Sequence, residues 1–115
     1  MNDKPLVSIL MNCYDGEKYL SEAIDSVYSQ TYQNWEIVFW DNASTDSSSS
    51  IAKSYDERVR YYLAPKNTSL GEARNFALQR VRGKYIAFLD TDDLYFPNKL
   101  EQQVSLMQQQ NYAMC

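Results

Sequence analysis

The sequence predicts an α/β fold, a mostly parallel sheet with helices on both faces. Three observations carry that expectation. Four short runs are apolar almost throughout, as strands covered on both sides are: residues 6–11 (LVSILM), 35–40 (WEIVFW), 59–63 (VRYYL) and 85–89 (YIAFL). The segments between them carry apolar residues at helical spacing. Strand and helix therefore alternate along the chain, the pattern that builds parallel sheets through helical crossovers.

Residues 6–11 form the first strand. A helix follows near 18–30, because Leu20, Ala23, Ile24 and Val27 fall at i, i+3, i+4 and i+7 and make one apolar stripe. Asp15 stands where it can cap that helix. Residues 35–40 are the second strand, stopping at Asp41 and Asn42. Ser44 or Asp46 then caps a short helix carrying Ile51, Ala52 and Tyr55. Residues 59–63 read as a third strand closed by Pro65, with Tyr61 and Tyr62 used in strand packing. Ser69 and Glu72 make an S-x-x-E capping box, so the next helix starts near Leu70. Its buried stripe is Ala73, Phe76, Ala77 and Val81, and Gly83 stands where a C-terminal cap is favoured. Residues 85–89 are the fourth strand and run directly into Asp90, Thr91, Asp92 and Asp93. Pro97 suits the first position of a last helix in which Leu100, Val104 and Met107 share a face. Residues 112–115 read as the start of a further strand.

Composition removes several kinds of chemistry. A chain of 115 residues, 44% hydrophobic and 23% charged, has the make-up of one globular domain. With Lys+Arg 11 against Asp+Glu 15 the net charge is −4, which disfavours nucleic acid as a partner because phosphate backbones call for clustered cations. No apolar run reaches the length of a membrane span. With His 0, a Ser-His-Asp triad, a Cys-His pair and a histidine metal site are all excluded. Cys 2 is too few for a disulfide scaffold and fits a reducing, cytoplasmic setting, with Cys13 a small apolar filler. Gly 3 cannot build a P-loop or a dinucleotide fingerprint. Lys66 and Arg82 are expected as surface charges.

Parallel sheets bind ligands in the crevice beyond the strand C-termini, where strand order reverses. Three of the predicted strands end in polar residues. The first delivers Asn12, Cys13, Tyr14 and Asp15, the second Asp41 and Asn42, and the fourth Asp90, Asp92 and Asp93. Carboxylates gathered at one sheet edge repel one another unless a cation neutralises them, and Mg²⁺ or Mn²⁺ takes one or two carboxylates together with phosphate oxygens. The i, i+2 spacing of Asp90 and Asp92 aims both side chains to one side of an extended backbone. An isolated D-x-D-D is commonly no more than a solvated turn with one Asp as a cap. The wholly apolar strand before it and the second acidic strand end at Asp41 favour ligand binding here.

Residues 5–46 (PLVSILMNCYDGEKYLSEAIDSVYSQTYQNWEIVFWDNASTD) and 69–100 (SLGEARNFALQRVRGKYIAFLDTDDLYFPNKL) resemble the nucleotide-binding half of a family 2 glycosyltransferase with the Rossmann-like GT-A fold. Several separate motifs occur in the family's order. The resemblance implies an enzyme that transfers a sugar from a nucleoside diphosphate, UDP by preference, to a saccharide or lipid-linked acceptor with inversion at the anomeric carbon. It implies that Tyr14 lies against the nucleobase with Asn12 offering backbone contacts beside it. Asp41 and Asn42 read the base edge, and Arg74 approaches the nucleotide across the crevice. Asp90 faces the ribose and Asp92 ligates Mg²⁺ or Mn²⁺ on the pyrophosphate.

Asn42 replaces the second Asp of the commoner Asp-Asp pair, and its amide still offers both an acceptor and a donor to a base. The family's acceptor-binding half and its catalytic carboxylate are expected beyond Cys115, so this portion is expected to hold donor without turning it over. The resemblance also implies work in the cytoplasm at the inner membrane face. A competing reading is a non-catalytic receiver-like module or scaffold with an acidic pocket. Receivers call for paired acids after the first strand and a Lys after a late one, whereas Asn12 and Cys13 end the first strand here.

Overall fold

The structure, a computed structural model, describes residues 5–91 and 94–110, the side chains of 107–110 excepted. The expectations for Asp92, Asp93, Met107 and residues 112–115 lie outside the described residues. In chain order the elements are β1 (Val7–Cys13), α1 (Glu17–Tyr28), β2 (Trp35–Asp41), α2 (Ser48–Lys53), β3 (Val59–Leu63), α3 (Leu70–Leu78), β4 (Tyr85–Phe88) and α4 (Lys99–Gln110). The strands form one sheet in the order β3-β2-β1-β4, and every neighbouring pair is parallel. Val7 stands opposite both Trp35 and Tyr85, and Ile37 opposite Val59.

Alternation along the strands sorts the core into two layers. Val7, Ile9, Met11, Ile37 and Phe39 pack with Leu20, Ala23, Ile24 and Val27 of α1, Ala52 of α2, and Leu100 and Val104 of α4. The expected stripe of α1 is thus the buried one, each large side chain contributing about 1.5–3 kcal/mol. Leu10, Val38 and Trp40 point to the other face, where α3 covers them with Ala73 and Ala77. No helix among the described residues is long and apolar enough to cross a membrane.

Several local expectations are corrected. Gly16, not Asp15, occupies the N-cap of α1, and no side chain of its own caps the helix. Asp15 sits at φ 53 with its carboxylate turned to Thr45. The first residue of α2 is served from Asp46, whose Oδ1 accepts the Ser48 N–H at 2.9 Å. The capping box of Ser69 and Glu72 is present, but α3 ends at Leu78, so Val81 packs on the second core layer from outside the helix. Phe76 is 39% exposed and stacks on Trp40 at 5.3 Å instead of entering the core. α4 starts two residues after Pro97, because Phe96 C=O accepts the Lys99 N–H at 3.0 Å and Pro97 C=O accepts the Thr31 N–H at 2.7 Å.

Gly83 is not a helix cap. A Cβ there would stand 2.6 Å from Leu6 O, 2.7 Å from Ser8 N and 2.7 Å from Ser8 Oγ, so glycine lets the α3–β4 connection lie directly on β1. Arg82 beside it is more than a surface charge. Its Nη2 lies 2.9 Å from Glu36 Oε1, and Arg60 Nη1 reaches the same oxygen at 2.9 Å. Ser8 Oγ donates to Glu36 Oε2 at 2.6 Å and accepts the Gly83 N–H at 2.8 Å. Burial opposes ionisation of Glu36, but these hydrogen bonds and the Arg60 charge outweigh it and hold the carboxyl below its ordinary 4.5. The network fastens the end of the sheet opposite the strand C-termini.

Candidate functional site

The sheet order decides where a crevice can form. From β1 the chain moves outward through β2 to β3, then returns to place β4 on the other side of β1. Strand order reverses between β1 and β4, and ligands bind beyond the strand ends at such a point. A receiver-type sheet instead sets β3 beside β1. Here β3 is at the edge, which removes the receiver-like alternative on topology.

The loops at this end are tied to one another. Ser44 Oγ accepts the Asp15 N–H at 2.9 Å, Ser48 Oγ accepts the Gly16 N–H at 3.0 Å, and Asp46 Oδ2 accepts the Glu17 N–H at 3.1 Å. In return Glu17 Oε1 accepts the Ser47 N–H at 2.6 Å, and Asp15 Oδ1 accepts the Thr45 N–H at 2.6 Å. The serine-rich stretch thus satisfies the first turn of α1 while closing its own turn. Two non-glycine residues with positive φ, Asp15 at 53° and Ala43 at 62°, sit in these loops, where strained backbone is held by its surroundings. Cys13 is buried under them, and burial pushes its thiol up from the ordinary 9.0.

Beyond β1 and β4 opens a cleft of about 450 Å³ lined by Asn12, Tyr14, Asp15, Gly16, Lys18, Tyr19, Asp90 and Thr91. Gly16 allows the close approach of its walls, since a Cβ there would fall 2.9 Å from Thr91 Oγ1. On the α3 side of β1 a smaller slot of about 240 Å³ is lined by Asn12, Cys13, Tyr14, Asn42, Asn67, Thr68, Leu70 and Ala73. Asn12 and Tyr14 belong to both. Tyr14 is 54% exposed, so its ring is open to a ligand.

The structure brings Asn12, Tyr14, Asn42 and Asp90 to these two cavities. It does not bring Asp41 to either. Parity in β2 turns that side chain to the α1 face, fully buried, where Oδ1 accepts the Ser44 N–H at 2.9 Å and Oδ2 accepts the Tyr61 hydroxyl at 2.5 Å. A carboxylate with no exposed surface and both oxygens engaged supports the loop from below and does not read a base edge. Arg74 is exposed on α3, its guanidinium 5.5 Å from the Phe88 ring, and lines neither cavity. Lys18, Asn67, Thr68 and Leu70 line the cavities without having been singled out in the sequence. Their signals were position alone: Lys18 just inside α1, Asn67 and Thr68 just before the capping box, and Leu70 at the first position of α3.

The amide of Asn42 is 7% exposed and closed onto one neighbour. Its Oδ1 accepts from Thr68 N and Thr68 Oγ1, both at 3.1 Å, and its Nδ2 donates to Thr68 O at 2.8 Å. Asn12 is the opposite case. Its Oδ1 is buried and has no hydrogen-bond partner, a state that costs about 1–3 kcal/mol until a donor arrives.

Among the described residues no three His, Cys, Asp or Glu side chains converge on one point. The groups at the wide cleft are nonetheless hard oxygen donors, the exposed Asp90 carboxylate and the Thr91 hydroxyl. That set suits Mg²⁺ or Mn²⁺, which binds few protein carboxylates and completes its shell with ligand oxygens.

Residues 8–115 match the family described as Glycosyl transferase family 2. The chain belongs to that family. It is 42% identical over 103 residues to an uncharacterised glycosyltransferase of Rickettsia prowazekii (strain Madrid E), covering 90% of this chain and 32% of the relative. It is 40% identical over 116 residues to the putative glycosyltransferase EpsE of Bacillus subtilis (strain 168), covering 97% of this chain and 42% of the relative. The chain therefore spans less than half the length of these curated relatives. Among solved structures, residues 1–349 of S. aureus TarS in complex with UDP superpose with a TM-score of 0.85 at 25% identity, covering 91% of this chain and 32% of that one. The expected GT-A fold of family 2 is thus the fold observed.

Proposed function

We propose that this chain is the donor-binding portion of a glycosyltransferase, holding a nucleoside-diphosphate sugar of the UDP type beyond the C-termini of β1 and β4. The observation that carries the reading is the pair of cavities sharing Asn12 and Tyr14, one narrow and largely apolar, the other wide and charged. A base suits the first, and a ribose with its diphosphate suits the second. Family membership supports transfer of a glycosyl group, and the TarS structures with UDP and with UDP-GlcNAc support the donor class.

In this reading the Tyr14 ring lies against the base and Asp90 accepts from the ribose hydroxyls. Lys18 brings a cation to the diphosphate, and Arg74 approaches from α3. The D-x-D element, with Asp92 as its metal ligand, holds Mg²⁺ or Mn²⁺. When bound, that cation supplies Lewis-acid stabilisation of the charge growing on the departing diphosphate. The Lys18 ammonium acts in the same sense and repels no part of an anionic donor. Inverting transfer to a saccharide or lipid-linked hydroxyl also calls for a carboxylate base, which this proposal places beyond Cys115, with the acceptor half. The proposed setting is the cytoplasmic face of the membrane.

Thermal melting tests the proposal. UDP with Mn²⁺ raises the melting temperature of the chain, and Asp92→Ala abolishes the metal-dependent part of the rise. A rise that survives Asp92→Ala removes Asp92 from the metal site. A wild-type chain whose melting no nucleoside diphosphate moves overturns the donor-site reading itself.

A further inference from the structure

We infer that the side-chain amide of Asn12, and not that of Asn42, reads the edge of the nucleobase, selecting a ring N–H that stands beside a carbonyl, as in uracil. The inference rests on the donor-site reading above and assigns its specificity. Three side-chain amides line the slot, Asn12 from β1, Asn42 from the loop after β2 and Asn67 from the segment before α3. Asn67 spends its Nδ2 on Asn42 O at 3.0 Å, and of the three only Asn12 has a buried amide oxygen without a partner. Asn42 has both ends of its amide committed to Thr68, and its backbone N–H and C=O are taken by Cys13 O at 2.8 Å and Asn67 Nδ2 at 3.0 Å. Offering that amide to a ligand means undoing the turn that forms the slot.

Asn12 is placed and poised differently. It follows Ser8 and Leu10 on the α3 face of β1, so its side chain enters the slot beside Ala73 and Leu70. Its Oδ1 is buried without a partner, whereas buried acceptors in native proteins are nearly always paired. The missing partner is a donor carried by whatever fills the slot. An amide presents an acceptor and a donor side by side. Uracil meets it with N3–H toward Oδ1 and a ring carbonyl toward Nδ2, while Tyr14 and Leu70 supply apolar surface for the ring.

The test is calorimetric titration of the 115-residue chain with UDP and with 3-methyluridine 5′-diphosphate, which keeps ring, carbonyls and charge but lacks the N3 donor. The wild-type chain prefers UDP by about tenfold or more, the worth of one hydrogen bond left unmade. Asn12→Leu weakens UDP by that factor, leaves the methylated analogue unchanged and so brings the ratio to about one. Because Asn12 Oδ1 bonds to nothing in the protein, Asn12→Leu melts no lower than wild type. Asn12→Asp keeps an acceptor oxygen at the same place and keeps the preference for UDP, though both ligands bind less tightly beside the added charge. Equal binding of the two ligands by wild type, or a preference that survives Asn12→Leu, overturns the assignment while leaving the donor site standing. Failure of every nucleoside diphosphate to bind overturns the donor site, and this assignment with it.

Discussion

Tyr61 Oη donates to Asp41 Oδ2 at 2.5 Å, tying β3 to the last residue of β2 directly beneath the loops that frame the crevice. The pair makes Asp41 a strut. Tyr61→Phe therefore lowers stability by about 2 kcal/mol, the range for a hydrogen bond to a charged group, with the denaturant slope unchanged. Burial and the Asp41 hydrogen bond push the Tyr61 hydroxyl up to about 12. A raised folded value means the contribution is whole below the ordinary 10.0 and is lost as pH climbs toward about 12. Urea melts of wild type and Tyr61→Phe measured at neutral and alkaline pH check this. Stabilities that coincide at neutral pH remove the strut.

Gly83 and Gly71 are predicted to respond in opposite directions to alanine. At Gly83 the new Cβ meets the backbone of Leu6 at 2.6 Å and of Ser8 at 2.7 Å, which no rotamer change relieves, so Gly83→Ala costs about 3 kcal/mol. At Gly71, inside α3, nothing lies within 4 Å, and Gly71→Ala raises stability by about 0.5–1 kcal/mol. The same chemical denaturation series reads both. A Gly83→Ala chain as stable as wild type contradicts the close approach of the α3–β4 connection to β1.

These residues also show what a sequence reveals and what it hides. The strands were legible because a sheet covered on both faces writes itself as unbroken apolar runs, and α1 because its stripe keeps one period. The crevice was legible because polar residues gather where those runs stop. Gly83 was not, since its neighbours Leu6 and Ser8 lie some 75 positions away and nothing local separates a packing glycine from a capping one. Asp41 was misassigned for a related reason. Trp35 to Asp41 is buried at every position, so no alternation tells which face the final carboxylate takes until the strand is registered against β1. Asn12 was expected to act through its backbone, because the orphaned state of its side chain exists only in three dimensions.

Acid sensitivity is predicted to come in part from Glu36. Its carboxyl titrates below the ordinary 4.5 in the folded chain, so the stability it adds is present above that value and drains away as pH falls through the lower folded one. Glu36→Gln lowers neutral-pH stability by about 2 kcal/mol, since it withdraws a charged acceptor from Ser8 and two arginines, one of which, Arg82, is 63% exposed and recovers water. The variant also flattens the acid limb of a stability–pH profile. A limb of unchanged steepness in Glu36→Gln assigns acid unfolding to other carboxylates. Nucleotide binding is untouched in either case, because the network lies at the far end of the sheet.

Lys18 is the one basic side chain among those that line the wide cleft, where Asp15 and Asp90 are also present. Asp15 is already engaged by Thr45, which leaves the ammonium to act on whatever anion enters. Lys18→Met is therefore predicted to weaken UDP by about fivefold, close to 1 kcal/mol for an exposed charge facing a diphosphate, and to leave uridine unchanged. Added salt narrows the gap between wild type and variant for UDP, because exposed charges are screened within about 10 Å at 0.1 M. Titrations of UDP and uridine at low and high salt read out all four combinations. Equal losses for UDP and uridine indicate that Lys18 shapes the cleft by packing on Tyr19, whose ring lies 5.2 Å from its Nζ, and the charge assignment fails.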